Sequence, residues 1–362
     1  MNLLNSTSMA AGYTVCMDPE GREHLLVAVK GTFSLPLDGR QPQLLDDQVP
    51  LMEADVFTGE PGFSAPLYEM DYALHKARCD VLLNGSAYAP NEQPTTKVTV
   101  GLNIEALEKT FNVIGDGHWE SPTLSIGRSP PKAFLKMPIT YDRAFGGIDD
   151  FHPDESKHSA YRLNPVGKGY HEHLDSGLVD GTPVPNTEEI NNSIDMPRGK
   201  YRPMSFGPIG RSWSSRIQYA GTYDQDWIDN ISPFLPPDFD EAYYQAAPPD
   251  QQISYLKGGE YVYLTNLTPG GKCHFRIPDI KMPVVFFLKK GGKEETSAVI
   301  DTLVIEPDLQ RFMVTWRVNR PLRKDIFEVT QVLVGNTGKE RWRQSMEDVF
   351  PKSSDTFPHQ VV

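Results

Sequence analysis

The chain has 362 residues, with 48 acidic side chains against 35 Lys plus Arg and a formal net charge of −13. No run of Lys and Arg is long enough to form a basic stripe, which argues against a nucleic-acid partner. Hydrophobic residues at 39% and charged residues at 23% are those of a globular chain with an ordinary core, and 31 Pro with 29 Gly favour short strands and turns over long helices.

The first residues are polar and small, without a basic region followed by an apolar one, so no secretory signal is expected. Residues 1–150 then read as an antiparallel β unit. Strands are predicted at 13–17 and 24–35, split by the turn Asp18-Pro19-Glu20-Gly21. Further strands follow at 80–88, 97–104 and 108–114. Val98, Val100, Leu102 and Ile104 alternate with polar or small residues, the pattern of a strand with one wet face. The Gly/Pro-rich stretch 59–66 reads as a loop. A strand at 133–141 runs into Arg143 and ends at Gly146-Gly147, where the backbone can turn sharply.

Residues 151–250 read as long ordered loops, rich in Pro, Gly and aromatics. His152, His158, His171 and His173 lie among Asp and Glu here. The stretch 201–240 is the densest in Trp, Tyr, Arg, Gly and Pro, a mixture foreign to disordered linkers. A short helix is predicted over 238–246, capped by Asp238 and stopped by Pro248-Pro249.

Residues 251–350 read as a second β unit, a meander or sandwich. Strands are predicted at 260–264, 272–277, 283–288, 298–305, 310–318 and 327–334, each bounded by turn residues. Residues 339–350 read as a short terminal helix and 351–362 as a flexible tail. The expected fold is therefore mainly β with a few short helices: two antiparallel β-sandwich-like units joined by a long ordered loop region.

The chemistry is sparse. Cys16, Cys79 and Cys273 are odd in number and far apart, which argues against a disulfide framework or a cysteine zinc site and fits a reducing cytoplasm. The longest apolar runs, near 284–288 and 25–29, are far short of a membrane span. No phosphate-cradling loop, dinucleotide fingerprint, Gly-x-Ser-x-Gly elbow or paired-histidine zinc helix is present. An enzyme is thus not expected, nor a cofactor. The one metal reading rests on His171 and His173, which would share a face on a strand and have Asp150, Asp154, Glu155, Asp175 and Asp180 near in sequence.

Protein-contact candidates are Arg143, Phe145, Arg211, Trp213, Arg216, Tyr223, Asp224 and Trp227. Aromatics and Arg are the usual anchors of interfaces. Arg143 suits a two-pronged contact with a carboxylate of the central stretch.

Taken together, Tyr141 to Gly147, Asn164-Pro165-Val166-Gly167-Lys168-Gly169, Pro185-Asn186 with Glu188 and Ile190, and Phe206-Gly207-Pro208 form an ordered set of landmarks. Arg211 with Trp213, Ala220-Gly221-Thr222-Tyr223-Asp224 with Trp227, and Leu235-Pro236-Pro237-Asp238-Phe239-Asp240 continue it. Gly258-Gly259-Glu260, Asn266-Leu267-Thr268-Pro269 and Trp316-Arg317 complete it. In these landmarks the chain resembles a bacterial domain-of-unknown-function family associated with type VI secretion. The resemblance covers almost the whole chain. It implies a cytoplasmic effector adaptor or chaperone, working beside PAAR-tip and VgrG spike proteins. Partners would be an effector protein or a PAAR-domain protein, and the spike itself, with no nucleic acid and no membrane insertion. The family has no accepted catalytic residues. Many members continue into pentapeptide repeats, and this chain is expected to be a stand-alone adaptor. Two alternatives stand beside this reading: a metal-dependent hydrolase using the His-rich loop, and a glycan-binding β module with Trp213 and Trp227 as stacking platforms.

Overall fold

A computed structural model of the chain describes residues 1–37, 40–121 and 125–336. The helix expected at 339–350 and the tail at 351–362 lie outside these residues. The strands of the two main sheets are, in chain order, β1 (Asn2–Asn5), β2 (Ala10–Met17), β3 (Glu23–Ser34), β4 (Cys79–Leu83), β5 (Lys97–Ile104), β6 (Leu107–Ile114) and β7 (Thr187–Glu188). They continue with β8 (Gln252–Ile253), β9 (Tyr261–Thr265), β10 (Lys272–Arg276), β11 (Met282–Leu288), β12 (Lys293–Glu306), β13 (Arg311–Pro321) and β14 (Val329–Val334).

Alternation decides which face each strand buries. In β5, Val98, Val100, Leu102 and Ile104 are all buried, and in β9 Val262 and Leu264 are buried while Tyr261 and Tyr263 are exposed. Among the described residues the strands form a nine-stranded sheet, a five-stranded sheet and several two-stranded ribbons. The large sheet runs β1-β14-β11-β12-β13-β3-β2, with β4 alongside β12 and β8 alongside β4. The small sheet runs β7-β6-β5-β9-β10. Pairing is antiparallel except for β1 with β14 and β4 with β12 within these sheets. The consecutive strands β1 and β2 stand at the two ends of the large sheet's path, so the sheet curls toward a closed barrel.

The mainly β reading holds. The division of the strands is different from the expected one, because segments 1–150 and 251–350 each supply strands to both sheets. They are interleaved rather than set side by side. The apolar core lies where the two sheets face: Leu25, Val27 and Val29 of β3 meet Val100, Phe111, Val262 and Phe275 of the small sheet. Phe275 packs against Phe312 of β13 with the rings tilted at 31° and their centres 4.7 Å apart. β12 starts earlier than expected, at Lys293, because Gly291 and Gly292 take positive φ of 84° and 92° and close a tight hairpin onto β11. The helix expected over 238–246 is a single 3₁₀ turn, Glu241–Tyr244, capped by Asp240 rather than Asp238.

The other face of the large sheet is polar and also buried. Lys30 and Thr32 of β3, Thr302 of β12 and Arg317 of β13 point there. The segment around residues 67–80 covers them. Lys76 Nζ donates to Asp80 at 2.7 Å, to Glu69 at 3.3 Å and to Thr302 Oγ1 at 3.3 Å. Burial alone would lower the Lys76 ammonium, but Asp80 and Glu69 hold it above its ordinary value. Lys30 pairs with Asp71, and Arg317 donates to Asp301 at 2.6 Å. Glu69 then reaches outward to Arg216 and, at 3.0 Å, to Arg211. Asp80 likewise accepts from Gln245 at 2.7 Å and from the Ala246 N–H at 2.8 Å. One layer of charge therefore fastens the central loops to the sheet.

Removing one carboxylate from this layer strands buried cations. Glu69→Gln should lower unfolding free energy by about 3–5 kcal/mol in a urea titration. Lys97→Ala, which removes a partly exposed ion pair to Glu188, should cost under about 1 kcal/mol in the same assay.

Candidate functional site

The landmark residues are first of all clamps on each other. Asn164 is fully buried, and its Nδ2 donates to Tyr141 O at 2.8 Å and Phe145 O at 3.1 Å. Gly146, the residue after Phe145, takes φ of 150°, and a Cβ there would sit 2.1 Å from Asn164 O, so no other residue fits. Arg143 donates to Asn186 Oδ1 at 3.0 Å and reaches Asp116 at 3.4 Å. Its partners are thus loop-pinning groups near β6 and β7, not a carboxylate of the central stretch. Asp238 accepts from Thr222 N at 2.9 Å and Thr222 Oγ1 at 2.7 Å, closing the loop that runs from 221 to 240.

Burial divides the eight expected contact residues. Phe145 is fully buried among Trp119, Val184, Ile194 and Tyr201, and meets Tyr161 and Tyr201 edge to face at 4.9 Å. Trp213 is buried edge-on to Tyr141 at 5.0 Å. Arg216 is buried too; beyond its Glu69 pair, Nε donates to Tyr243 O at 2.7 Å and one terminal nitrogen to Ile209 O at 3.1 Å. These three are removed from any docking surface of the folded chain, because aromatic and Arg side chains serve packing and loop-pinning as readily as recognition. Arg211 is mostly spent on Asp55, at 2.7 Å, and on Glu69.

Tyr223, Asp224 and Trp227 remain at the surface together. Tyr223 is 53% exposed, and its ring meets the half-buried Trp227 edge to face at 4.8 Å. Asp224 accepts the Trp227 N–H at 3.0 Å, and the Trp227 indole donates to Phe234 O at 2.9 Å, so the rings stand on an ordered backbone. Two neighbours escaped sequence reasoning: Ile228, 57% exposed, and Phe234, 43% exposed. The Phe234 ring lies against Gly21, in the turn that leaves β2. β2 is itself a sheet edge, and its Tyr13, Val15 and Met17 are exposed. The alternation of those three was legible, but not that their side of the strand lacks a cover. A loop of aromatics beside an unpaired edge strand can bind a protein by side-chain burial or strand addition.

The His-rich segment folds differently from the strand that would align His171 with His173. Asp149, fully buried, accepts the N–H groups of Glu172 at 2.9 Å and His173 at 3.0 Å, and the His173 ring at 3.3 Å. Burial would raise its carboxyl, but the N–H of His173 and that of Glu172 hold it below the usual range. His171 is buried, and its Nε2 lies 2.9 Å from Thr182 Oγ1. Among the described residues no three His, Cys, Asp or Glu side chains come together as a metal ion requires. No described helix is long and apolar enough to cross a membrane.

Burial lowers the His171 pKa, against the pull of Asp149 upward. The unfolded chain therefore takes up this proton first, and stability falls as pH drops below about 6.5. His171→Gln should flatten the loss of stability between pH of about 7.5 and about 5.5, read by urea unfolding at each pH. In a separate comparison, Phe145→Ala should cost about 3–5 kcal/mol, while Tyr223→Ala should change stability by about 0.5 kcal/mol or less.

A family model described as "Uncharacterized protein conserved in bacteria (DUF2169)" matches residues 20–317. No curated protein matches the chain. No solved structure matches it either.

Proposed function

The chain belongs to the uncharacterized bacterial family DUF2169, and we propose that it is a type VI secretion adaptor or chaperone. It would bind an effector, or the effector's PAAR domain, in the cytoplasm and assist loading on the VgrG spike. The observation that carries this reading is the ordered group on the loop at 221–240, in which the exposed Tyr223, Ile228 and Phe234 surround the half-buried Trp227. A stable complex buries about 1,600 Å² in all, centred on such aromatic anchors. The secretion setting comes from the resemblance of the landmark motifs.

The glycan-binding alternative draws less support. Trp213 is buried, and Tyr223 and Trp227 meet at 66°, which leaves no shared flat platform. The metal-dependent hydrolase alternative draws less support too, since no cluster of three metal-ligating side chains exists among the described residues.

The test is affinity capture of the tagged chain from its bacterial host, read by mass spectrometry, beside a Tyr223→Ala/Ile228→Asp variant. The reading expects a PAAR-bearing or toxin-bearing partner at near-stoichiometric yield, reduced about tenfold or more by the variant, which truncates exposed anchors. Equal capture by a folded variant, or a partnerless chain, would count against it.

A further inference from the structure

A second surface uses other residues and does not depend on the adaptor reading. The β11–β12 turn at Leu288, Lys289, Lys290 and Gly291 faces the end of β13 and the segment that follows it, including Arg320, Arg323, Lys324, Phe327 and Glu328. Together they line a pocket of about 510 Å³, within the size range of ligand sites, about 300–1,000 Å³.

Its charge runs against the rest of the chain. Lys289, Lys290, Arg323 and Lys324 are exposed, and among the described residues none of the four is held in an ion pair. Two carboxylates, Asp325 and Glu328, share the wall. Asp325 accepts the Phe327 N–H at 2.9 Å. Glu328 pairs with Arg320 at 2.5 Å and accepts the Arg323 N–H at 3.2 Å on each oxygen. Five basic side chains, Lys289, Lys290, Arg320, Arg323 and Lys324, thus face two carboxylates, Asp325 and Glu328, and the lining is net positive on a chain of net charge −13. In their midst Phe327 is 70% exposed.

We propose that this pocket docks an acidic peptide segment of a partner protein, with a large apolar residue of that segment packed on Phe327. Charge complementarity selects the occupant's sign, and the aromatic selects its apolar anchor. A dense phosphate fits less well. Phosphate cradles are built from free backbone N–H groups, and several here are spent: Lys289 N on Glu328 O at 2.8 Å, Gly291 N on Leu288 O at 3.0 Å, Arg323 N on Glu328 and Phe327 N on Asp325. The overall negative charge also opposes approach to nucleic acid or an anionic membrane.

The experiment is selection of random linear peptides displayed on phage, using the purified full-length chain. Enriched peptides are then synthesised and their affinity measured by fluorescence anisotropy. The expected sequences carry two or more Asp or Glu next to Leu, Phe or Trp. Their affinity should fall about tenfold or more in Lys290→Glu/Lys324→Glu and about fivefold or more in Phe327→Ala. All three side chains are exposed, so unfolding curves should overlay. Should the double variant not fold, a loss of about tenfold in wild-type affinity between about 0.05 and about 0.5 M salt serves instead. Enriched peptides without acidic residues, or affinities indifferent to the variants and to salt, would overturn the proposal. So would binding of phosphatidylserine vesicles or inorganic phosphate that the double variant abolishes, or a dimer of the chain itself that the double variant abolishes.

Discussion

Glu69 is the hinge of this structure in the electrostatic sense. It faces Lys76 on the sheet side and Arg211 and Arg216 on the loop side. Each of those cations is wholly or mostly out of water, where an unpaired charge is costly. The sheet's polar face, bearing Lys30, Thr302 and Arg317, lies buried under the covering loops rather than in water, so its charges need partners there. Paired charge supplies them. It gives the loops a single seat, because a guanidinium that misses its carboxylate gains nothing to offset its desolvation.

Once seated, the loops are held by a second set of local contacts. Asn164 joins the Tyr141–Phe145 backbone, Asn186 joins Arg143 to the end of β6, and Asp238 closes the loop at Thr222. These contacts account for several of the landmark motifs as architecture. Their effect is to present what they do not bury: Tyr223, Trp227, Ile228 and Phe234, carried on fixed backbone. Preorganisation of that kind lowers the entropy a partner must offset on binding. Scaffold and surface are therefore separate residues of the same loops.

How much of this could be read from the chain depended on range. β5 and the strands around it were legible because alternation is a local signal, and the buried set Val98, Val100, Leu102 and Ile104 follows it. The interleaving was not legible, since β3 pairs with β13 from the far end of the chain and no local pattern names that partner. Arg211 and Arg216 looked like recognition residues because Asp55 and Glu69 lie 156 and 147 positions away. Phe145 and Trp213 misled for another reason: residue type tells that an aromatic wants cover, but not whether its own fold or a partner supplies it. His171 and His173 shared a face only on a strand, and the chain there turns around Asp149 instead. Ile228 and Phe234 were not among the expected contact residues, and only exposure reveals them.

We propose that the loop at 221–240 is the recognition surface and that the Glu69 layer holds it in place. The decisive measurement is hydrogen exchange of the free chain, compared with the chain in complex with a purified PAAR-bearing partner. New protection is expected to concentrate in residues 221–240, with the amides around Glu69 and Asp80 equally protected in both states. Unchanged exchange at 221–240, with protection arising at the His-rich segment or along another face, would contradict it.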